Sequence, residues 1–301
     1  MIYNAEITKG NSLNKIYEVT VDGVPYILRK SKFSEIKAAH IDFELNWMNY
    51  LSSEMSEVIK PIPSLNGNLF EVVDDYILCL FEKAEGNHAE LNPPLFYEMG
   101  AMMGNMHRLT KSYNDNIIQP RFEWYNGWTT WDEYNIVTDD EIQAFINRYK
   151  RELHALPITN DSYGIIHEDI HTGNFYVNDG KIKLFDFDDC QFNFYICDIA
   201  TALYQITQHK LPYYLTNTNE RTDFAETFLE SFFKGYLQMN SIDKFWLSKI
   251  DLFINYRMAT AHQFVQNITI DNPNVDFLTW VKDTLKSDTP FIRVKYEKLI
   301  P

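Results

Sequence analysis

The chain has 301 residues, enough for one large domain or two smaller ones, and 45% of them are apolar. With 21 Phe, 19 Tyr and 6 Trp it carries ample core material, which excludes disordered and fibrous classes. Lys plus Arg total 27 against 42 Asp plus Glu, and a formal charge of −15 repels nucleic-acid backbones and anionic lipid headgroups, so neither is an expected partner. The opening MIYNAEITKG is not a basic stretch followed by an apolar run. No later segment approaches the roughly 18 uninterrupted apolar residues of a membrane span. The expectation is a soluble, cytoplasmic protein. Cys79, Cys190 and Cys197 form no CxxC pair and are expected to be small buried hydrophobes.

Lys15–Val21 and Val24–Lys30 are β-rich and flank Asp22-Gly23, a dipeptide with easy access to positive φ that suits a tight hairpin turn. Ile36, Ala39, Phe43, Trp47 and Tyr50 recur at steps of three and four, which predicts a helix from an N-cap at Ser34 to about Leu51. Beyond Pro61 and Pro63, Asn66-Gly67 separates Ile62–Leu65 from the run Leu69–Val73, and Tyr76–Phe81 reads as a further strand. The N-terminal part is thus predicted to be a small sheet with one helix. After Glu85-Gly86 the character changes. Pro93-Pro94 opens Leu95–Leu109, a helix-period stretch whose Met99, Met102, Met103 and Met106 read as core filler. Residues 121–134 hold Trp124, Trp128 and Trp131 without clean periodicity. Helical patterns follow at 139–156, 198–209, 222–239, 243–268 and 275–286. The fold class is α+β: a small β-rich lobe with one main helix and a larger, mostly α-helical lobe, with the boundary near residues 81–87.

The chemistry concentrates in residues 163–199, where ionisable side chains interrupt strand-like runs. His167-Glu168-Asp169-Ile170-His171 matches H-E-x-x-H, in which two histidines one helical turn apart bind zinc and the glutamate serves as base. That pattern needs a helix, and the neighbouring Gly164 and Thr172-Gly173 leave room for little more than one turn. A second reading takes His167-x-Asp169, then Asn174 five residues on, then Asp186 at the end of a strand. Phosphoryl transfer needs a carboxylate for the attacking hydroxyl and hard oxygen ligands for Mg²⁺, roles that Asp169, Asn174 and Asp186 fit. Phe175–Val177 and Lys181–Phe185 form a predicted hairpin around Asn178-Asp179-Gly180, which would bring Asn174 and Asp186 to one open end.

His167-Glu168-Asp169-Ile170-His171-Thr172-Gly173-Asn174-Phe175 resembles the H-G-D-L-H-P-G-N-I catalytic loop of the aminoglycoside phosphotransferase and choline kinase-like enzymes, relatives of protein kinases. Leu184-Phe185-Asp186-Phe187-Asp188-Asp189 resembles their metal-binding strand end, and Cys197-Asp198-Ile199-Ala200 their following D-L-A. The resemblance implies a bilobal protein-kinase-like fold, with a nucleotide-binding lobe at 1–82 and a catalytic, acceptor-binding lobe at 83–301. It implies ATP and Mg²⁺ as cofactors, Asp169 as catalytic aspartate, Asn174 and Asp186 as Mg²⁺ ligands, and Asp188 assisting directly or through water. His167 and Asp198 become scaffold, with Asp198 accepting hydrogen bonds from the catalytic-loop backbone. Glu168 stands where the family has a small residue and Thr172 where it has proline.

In the N-terminal lobe, Gly10-Asn11-Ser12-Leu13-Asn14 sits at the position of the phosphate-covering loop, so Gly10 and Ser12 are candidate phosphate contacts, although one glycine is not G-x-G-x-x-G. Arg29 occupies the position of the family's strand lysine and is the expected phosphate-side cation. Lys30, one residue on and on the opposite face, is the alternative. Glu44, beside core-facing Phe43, is placed to pair with Arg29. Leu80–Gly86 resembles the hinge, making Leu80 and Glu82 adenine-side candidates. The expected activity is transfer of the γ-phosphoryl group of ATP to a hydroxyl of a small molecule. The excess of acidic residues, with Glu168 in the loop, favours an amine-bearing acceptor, and Trp124, Trp128 and Trp131 offer an aromatic wall or ordinary core packing. A nucleotide-binding regulator without transfer is the alternative that the single-glycine loop and Arg29 motivate.

Overall fold

The structure is a computed structural model that describes residues 3–7, 14–113, 120–126, 139–213, 215–268, 274–287 and 289–300. The chain packs as two compact units. One comprises 1–88 with 112–121 and 173–188, and the other 89–111 with 122–172 and 189–301.

In the first unit, β1 (Tyr3–Ile7), β2 (Lys15–Val21), β3 (Val24–Lys32) and β6 (Tyr76–Glu82) run antiparallel in that spatial order, with β4 (Pro61–Ile62) and β5 (Phe70–Val73) both on β6. The β2–β3 hairpin turns at Asp22 (φ 51°) and Gly23 (φ 84°), the left-handed pair that matches the strand twist. Helix α1 (Glu35–Glu54) starts at Ser34, whose side chain accepts from the Lys37 N–H, and buries Phe43, Glu44, Trp47 and Leu51. The strand expected over Ile62–Leu65 stops at Ile62. Pro63 has no N–H for the ladder, and the Ser64 amide bonds the Asn68 carbonyl in a turn that leaves Leu65 fully exposed. A second, two-stranded sheet pairs β8 (Phe175–Asn178) with β9 (Lys181–Leu184) across Asp179 (φ 48°) and Gly180 (φ 78°). Asn87 and Val177 exchange both backbone hydrogen bonds, at 3.1 and 2.9 Å. Gly86 (φ 115°) makes this approach possible, since a Cβ there would lie 2.4 Å from the Val177 carbonyl oxygen.

The second unit is helical around one short sheet, β7 (Tyr163–Ile166) paired with β10 (Gln191–Phe194). Its helices are α2 (Pro93–Thr110), α3 (Asp140–His154), α4 (Tyr195–Lys210), α5 (Thr218–Met239), α6 (Lys244–Leu247), α7 (Ile250–Ile268) and α8 (Val275–Lys286). The helix expected over 243–268 is interrupted: after α6 the turn tightens, with the Lys249 amide bonding the Trp246 carbonyl, before α7 begins. The α2 methionines, Met99, Met102, Met103 and Met106, are buried, as are all three cysteines. Helices α2 and α5 cross at Gly100 and Gly235, where a Cβ would lie 1.9 Å from the Phe232 carbonyl oxygen and 2.0 Å from that of Tyr97. Among the described residues no helix is long and apolar enough to cross a membrane.

Candidate active site

Strand β7 leads into the run 167–172, which is irregular loop and not helix. Glu168 there has φ 72°, a left-handed backbone incompatible with the one-turn helix that H-E-x-x-H requires, and its side chain is engaged with Asn193 and Cys197. Among the described residues no group of three His, Cys, Asp or Glu could hold a metal. The zinc reading therefore fails on geometry. Glycine adopts this backbone without cost, whereas Glu168 bears strain in it.

Asp198, at the start of α4 and fully buried, holds the loop: its Oδ2 accepts from the His167 amide at 3.1 Å and its Oδ1 from the Glu168 amide at 2.7 Å. His107 of α2 completes the arrangement, with Nε2 3.1 Å from Asp198 Oδ2 and Nδ1 3.0 Å from the Tyr236 hydroxyl, which also accepts from Asn240. A neutral imidazole protonated on Nε2 satisfies every member of this chain. Burial lowers the pKa of His107 against the pull of Asp198, which keeps it in that neutral form.

Asp169 follows. Its Oδ1 accepts from Gln205 Nε2 of α4 at 2.7 Å and from Arg257 Nη2 of α7 at 2.6 Å, while its Oδ2 lies 3.3 Å from His171 Nε2. Burial works to raise the Asp169 pKa, but His171, Arg257 and Gln205 outweigh it and hold the carboxyl well below the usual carboxylate range. Burial likewise opposes the Arg257 charge, and Asp169 and Glu168 overcome it, so that guanidinium is held above its ordinary value. Glu168 is driven the other way. Burial, with Asp198 as a like charge, pushes its carboxyl up to about 7 against the attraction of Arg257. Its negative charge at neutral pH is thus partial, which weakens the inference of a cationic acceptor from Glu168 alone.

Asn174, Asp186 and Asp188 belong to the first unit. The Phe185 amide donates to the Asn174 carbonyl at 2.9 Å, so Asn174 and Asp186 sit at the same end of the β8–β9 hairpin, as its register requires. That end is held from two sides. Leu184 exchanges backbone hydrogen bonds with Glu57 and Ile59, and Phe187 packs edge-on against Trp47 of α1 at 5.5 Å. Asp186 has φ 65°, a left-handed backbone that aspartate tolerates better than most residues and that also occurs at Asp22 and Asp179. An amide oxygen and a carboxylate are the hard donors Mg²⁺ takes, so the residue set fits that ion. Asp188 Oδ2 accepts from Asn14 Nδ2 at 2.8 Å, and Asn14 Oδ1 accepts from the Ser31 hydroxyl at 2.7 Å.

Arg29 and Glu44 are both buried and form a two-pronged ion pair, Nη1 to Oε1 at 2.8 Å and Nη2 to Oε2 at 2.6 Å. Burial lowers the pKa of Arg29, but Glu44 more than compensates and the guanidinium stays charged. Its Nε is buried without a hydrogen-bond partner among the described residues. Lys30 lies on the opposite face, its Nζ 3.7 Å from the centre of the Tyr76 ring. Leu80 is half-buried on β6, paired with Leu28 and Ile62. The exposed Glu82 donates its amide to the Lys60 carbonyl. Gly10, Ser12, Trp128 and Trp131 fall outside the described residues. Trp124 is core, packed among Tyr125, His154 and Tyr256.

Sequence reasoning missed Arg257, Gln205, His107 and the Asn14–Asp188 link. One signal for Arg257 was present: it is the only charged residue in 252–268, in the middle of an apolar helix.

A β-rich N-terminal region, a helical C-terminal region and an H-x-D-x-x-x-x-N loop with its backbone held on a buried aspartate define a protein-kinase-like, ATP-dependent small-molecule phosphotransferase. The chain belongs to the phosphotransferase enzyme family, whose model matches residues 5–243. It is 32% identical over 307 aligned positions to the amicoumacin kinase of Bacillus subtilis (strain 168), covering 95% of this chain and 88% of that one. Among solved structures, an amicoumacin kinase in complex with AMP-PNP, Ca²⁺ and Ami superimposes with a TM-score of 0.85 at 27% identity, covering 98% of this chain and 92% of the other. A microcompartment-associated aminopropanol kinase shares the fold, with a TM-score of 0.68 at 22% identity over 94% of this chain and 90% of its own.

Proposed function

We propose that this kinase transfers the γ-phosphoryl group of Mg·ATP to a hydroxyl of a small amine-bearing molecule, with an amicoumacin-type antibiotic as the first candidate acceptor, in the cytoplasm. The observation that carries this reading is similarity over nearly the whole chain to amicoumacin kinases, in both sequence and backbone. In this reading residues 1–82 form the nucleotide-binding lobe and 83–301 the catalytic and acceptor-binding lobe. Asp169 accepts the hydrogen bond of the attacking hydroxyl and takes its proton as the phosphoryl group departs from ADP. Its depressed pKa keeps it ionised and ready throughout the neutral range. Asn174 and Asp186 would hold Mg²⁺, with Asp188 in support, and the bound ion would supply positive charge to the phosphate oxygens. Arg29 faces the phosphates, steadied by Glu44, and offers its buried Nε as donor, while Gly10 and Ser12 supply loop contacts. Leu80 and Glu82 carry the backbone groups that hold adenine. The partners are thus a nucleotide and a small hydroxyl compound, without nucleic acid or membrane.

The test is phosphoryl transfer from Mg·ATP to amicoumacin A, alongside 1-amino-2-propanol, choline and spectinomycin. The expected result is amicoumacin A gaining one phosphoryl group, with Asp169→Asn slower by about 10³-fold yet still stabilised thermally by AMP-PNP. Asp186→Ala is expected to lose the Mg²⁺-dependent part of that stabilisation. Transfer by Asp169→Asn at the wild-type rate would refute the role of Asp169, and an untouched amicoumacin A would refute the acceptor.

A further inference from the structure

The Asp169 carboxylate does not stand alone. Two side chains from two different helices converge on one of its oxygens: Gln205 of α4 at 2.7 Å and Arg257 of α7 at 2.6 Å, both on Oδ1. The pair is partly open, with the Asp169 side chain 19% and the Arg257 side chain 26% exposed, so it is not sealed from solvent. An oxygen with two lone pairs that accepts two strong donors has its orientation determined. The plane of the carboxylate, and hence the direction of Oδ2, then follows from the positions of α4 and α7.

We propose that Arg257, together with Gln205, is a positioning residue for the transfer reaction: the two donors lock Asp169 Oδ1 and turn Oδ2, beside His171, to the incoming acceptor hydroxyl. The inference rests on the reading of Asp169 as the group that receives that hydroxyl. It also has a chemical consequence. A guanidinium 2.6 Å from the carboxylate partly cancels its charge, so an acceptor ammonium gains little by settling on Asp169. A neutral hydroxyl can compete for Oδ2 there, and the amine is kept at other contacts. An amino alcohol bound with its ammonium on the catalytic carboxylate would be a dead-end complex, and Arg257 disfavours it.

The groups that act on this pair are Glu168 and His171 in the loop, Asp189 before β10, Cys197 and Tyr204 of α4 and Tyr256 of α7. None of these carries a permanent positive charge. Removal of Arg257 therefore takes away one of the groups that, after His171, hold the Asp169 proton affinity down, and the carboxyl titrates at higher pH.

The experiment compares wild type, Asp169→Asn, Arg257→Met, Arg257→Lys and Gln205→Ala in Mg·ATP-dependent transfer to amicoumacin A, with an NMR titration of ¹³C-labelled aspartate carboxyls. The Asp169 resonance is assigned by its absence from Asp169→Asn. Arg257→Met is expected to lower kcat by about 10²-fold, the cost of a misplaced reacting group, with KM for Mg·ATP within about twofold. Arg257→Lys restores part of the rate, and Gln205→Ala lies between Arg257→Met and wild type. The acidic limb of kcat and the Asp169 resonance both move to higher pH in Arg257→Met. A kcat within twofold of wild type, or an Asp169 titration that does not move, overturns the proposal. If Arg257→Met does not fold, Arg257→Lys and Gln205→Ala decide it, since full activity in both overturns it too. Loss of transfer in wild type while the Asp169 titration still moves on removal of Arg257 overturns the acceptor reading and supports the pair.

Discussion

Glu168 gives the sharpest quantitative prediction. Its backbone sits at φ 72°, its Oε2 accepts from Asn193 Nδ2 at 3.0 Å, and the Cys197 thiol lies 3.6 Å from Oε1. Burial, with Asp198 nearby, raises its carboxyl from 4.5 to about 7. The folded protein thus binds this proton more tightly than the unfolded chain does. The associated stability is fully present below about pH 4.5 and is lost as pH rises through about 7. A rise of that size corresponds to about 3 kcal/mol, at about 1.4 kcal/mol per tenfold change in proton affinity. Glu168→Gln keeps an oxygen for the Asn193 amide and removes the ionisation. At pH 8 the variant is expected to be more stable than wild type by up to about 3 kcal/mol, or roughly 6 °C in Tm for a chain of this size. At pH 5, where the folded carboxyl is protonated but the unfolded one is already mostly ionised, the gap should shrink to about 1 kcal/mol, roughly 2 °C. Thermal unfolding followed by circular dichroism across pH 5–8 reads this directly. A Tm difference that does not change with pH, or a variant that melts lower at pH 8, would refute the assignment of Glu168 as a neutralised buried carboxyl.

Three further perturbations test the scaffold. Arg29→Met leaves the buried Glu44 carboxylate without its partner and is expected to cost about 3–5 kcal/mol in urea unfolding, whereas Arg29→Met with Glu44→Leu recovers most of that loss while nucleotide stabilisation stays absent. His107→Phe removes the donor to Asp198 and the acceptor of Tyr236, and about 2–3 kcal/mol is expected to disappear with it; an unchanged urea midpoint would show that the chain from Tyr236 to the loop carries no energy. In Gly235→Ala the new Cβ meets the Tyr97 carbonyl oxygen at 2.0 Å. The α2–α5 crossing must open, at a cost of about 3 kcal/mol or more, and a variant with wild-type Tm would contradict the packing.

Much of the molecule was legible in the chain before any coordinates. The Asp22-Gly23 turn, the Ser34 cap and the Pro93-Pro94 start are local instructions, because backbone preference and a single side-chain hydrogen bond decide them. The hairpin that places Asn174 and Asp186 at one end is also local, closed by the Asp179-Gly180 turn. Local rules failed at Pro63, where a missing N–H ended the expected strand, and at Ser248, where two turns divided a continuous apolar pattern.

The sequence by itself therefore determined most of the elements and, through the resemblance of one short stretch to a known family, the class of the fold and the choice of Asp169, Asn174 and Asp186 as candidate site residues. Only the tertiary structure decided what surrounds them. Arg257 and Gln205 reach Asp169 from 88 and 36 residues away, and Asn14 reaches Asp188 from 174 residues away. Which partner each finds is not written locally, since charge and hydrogen bonding act through space; Arg257 alone left a trace, as the lone charge in 252–268 of an apolar helix. Within the −15 formal charge the fold also separates two neighbouring carboxyls, Asp169 held ionised by His171 and Arg257 and Glu168 held partly neutral by burial.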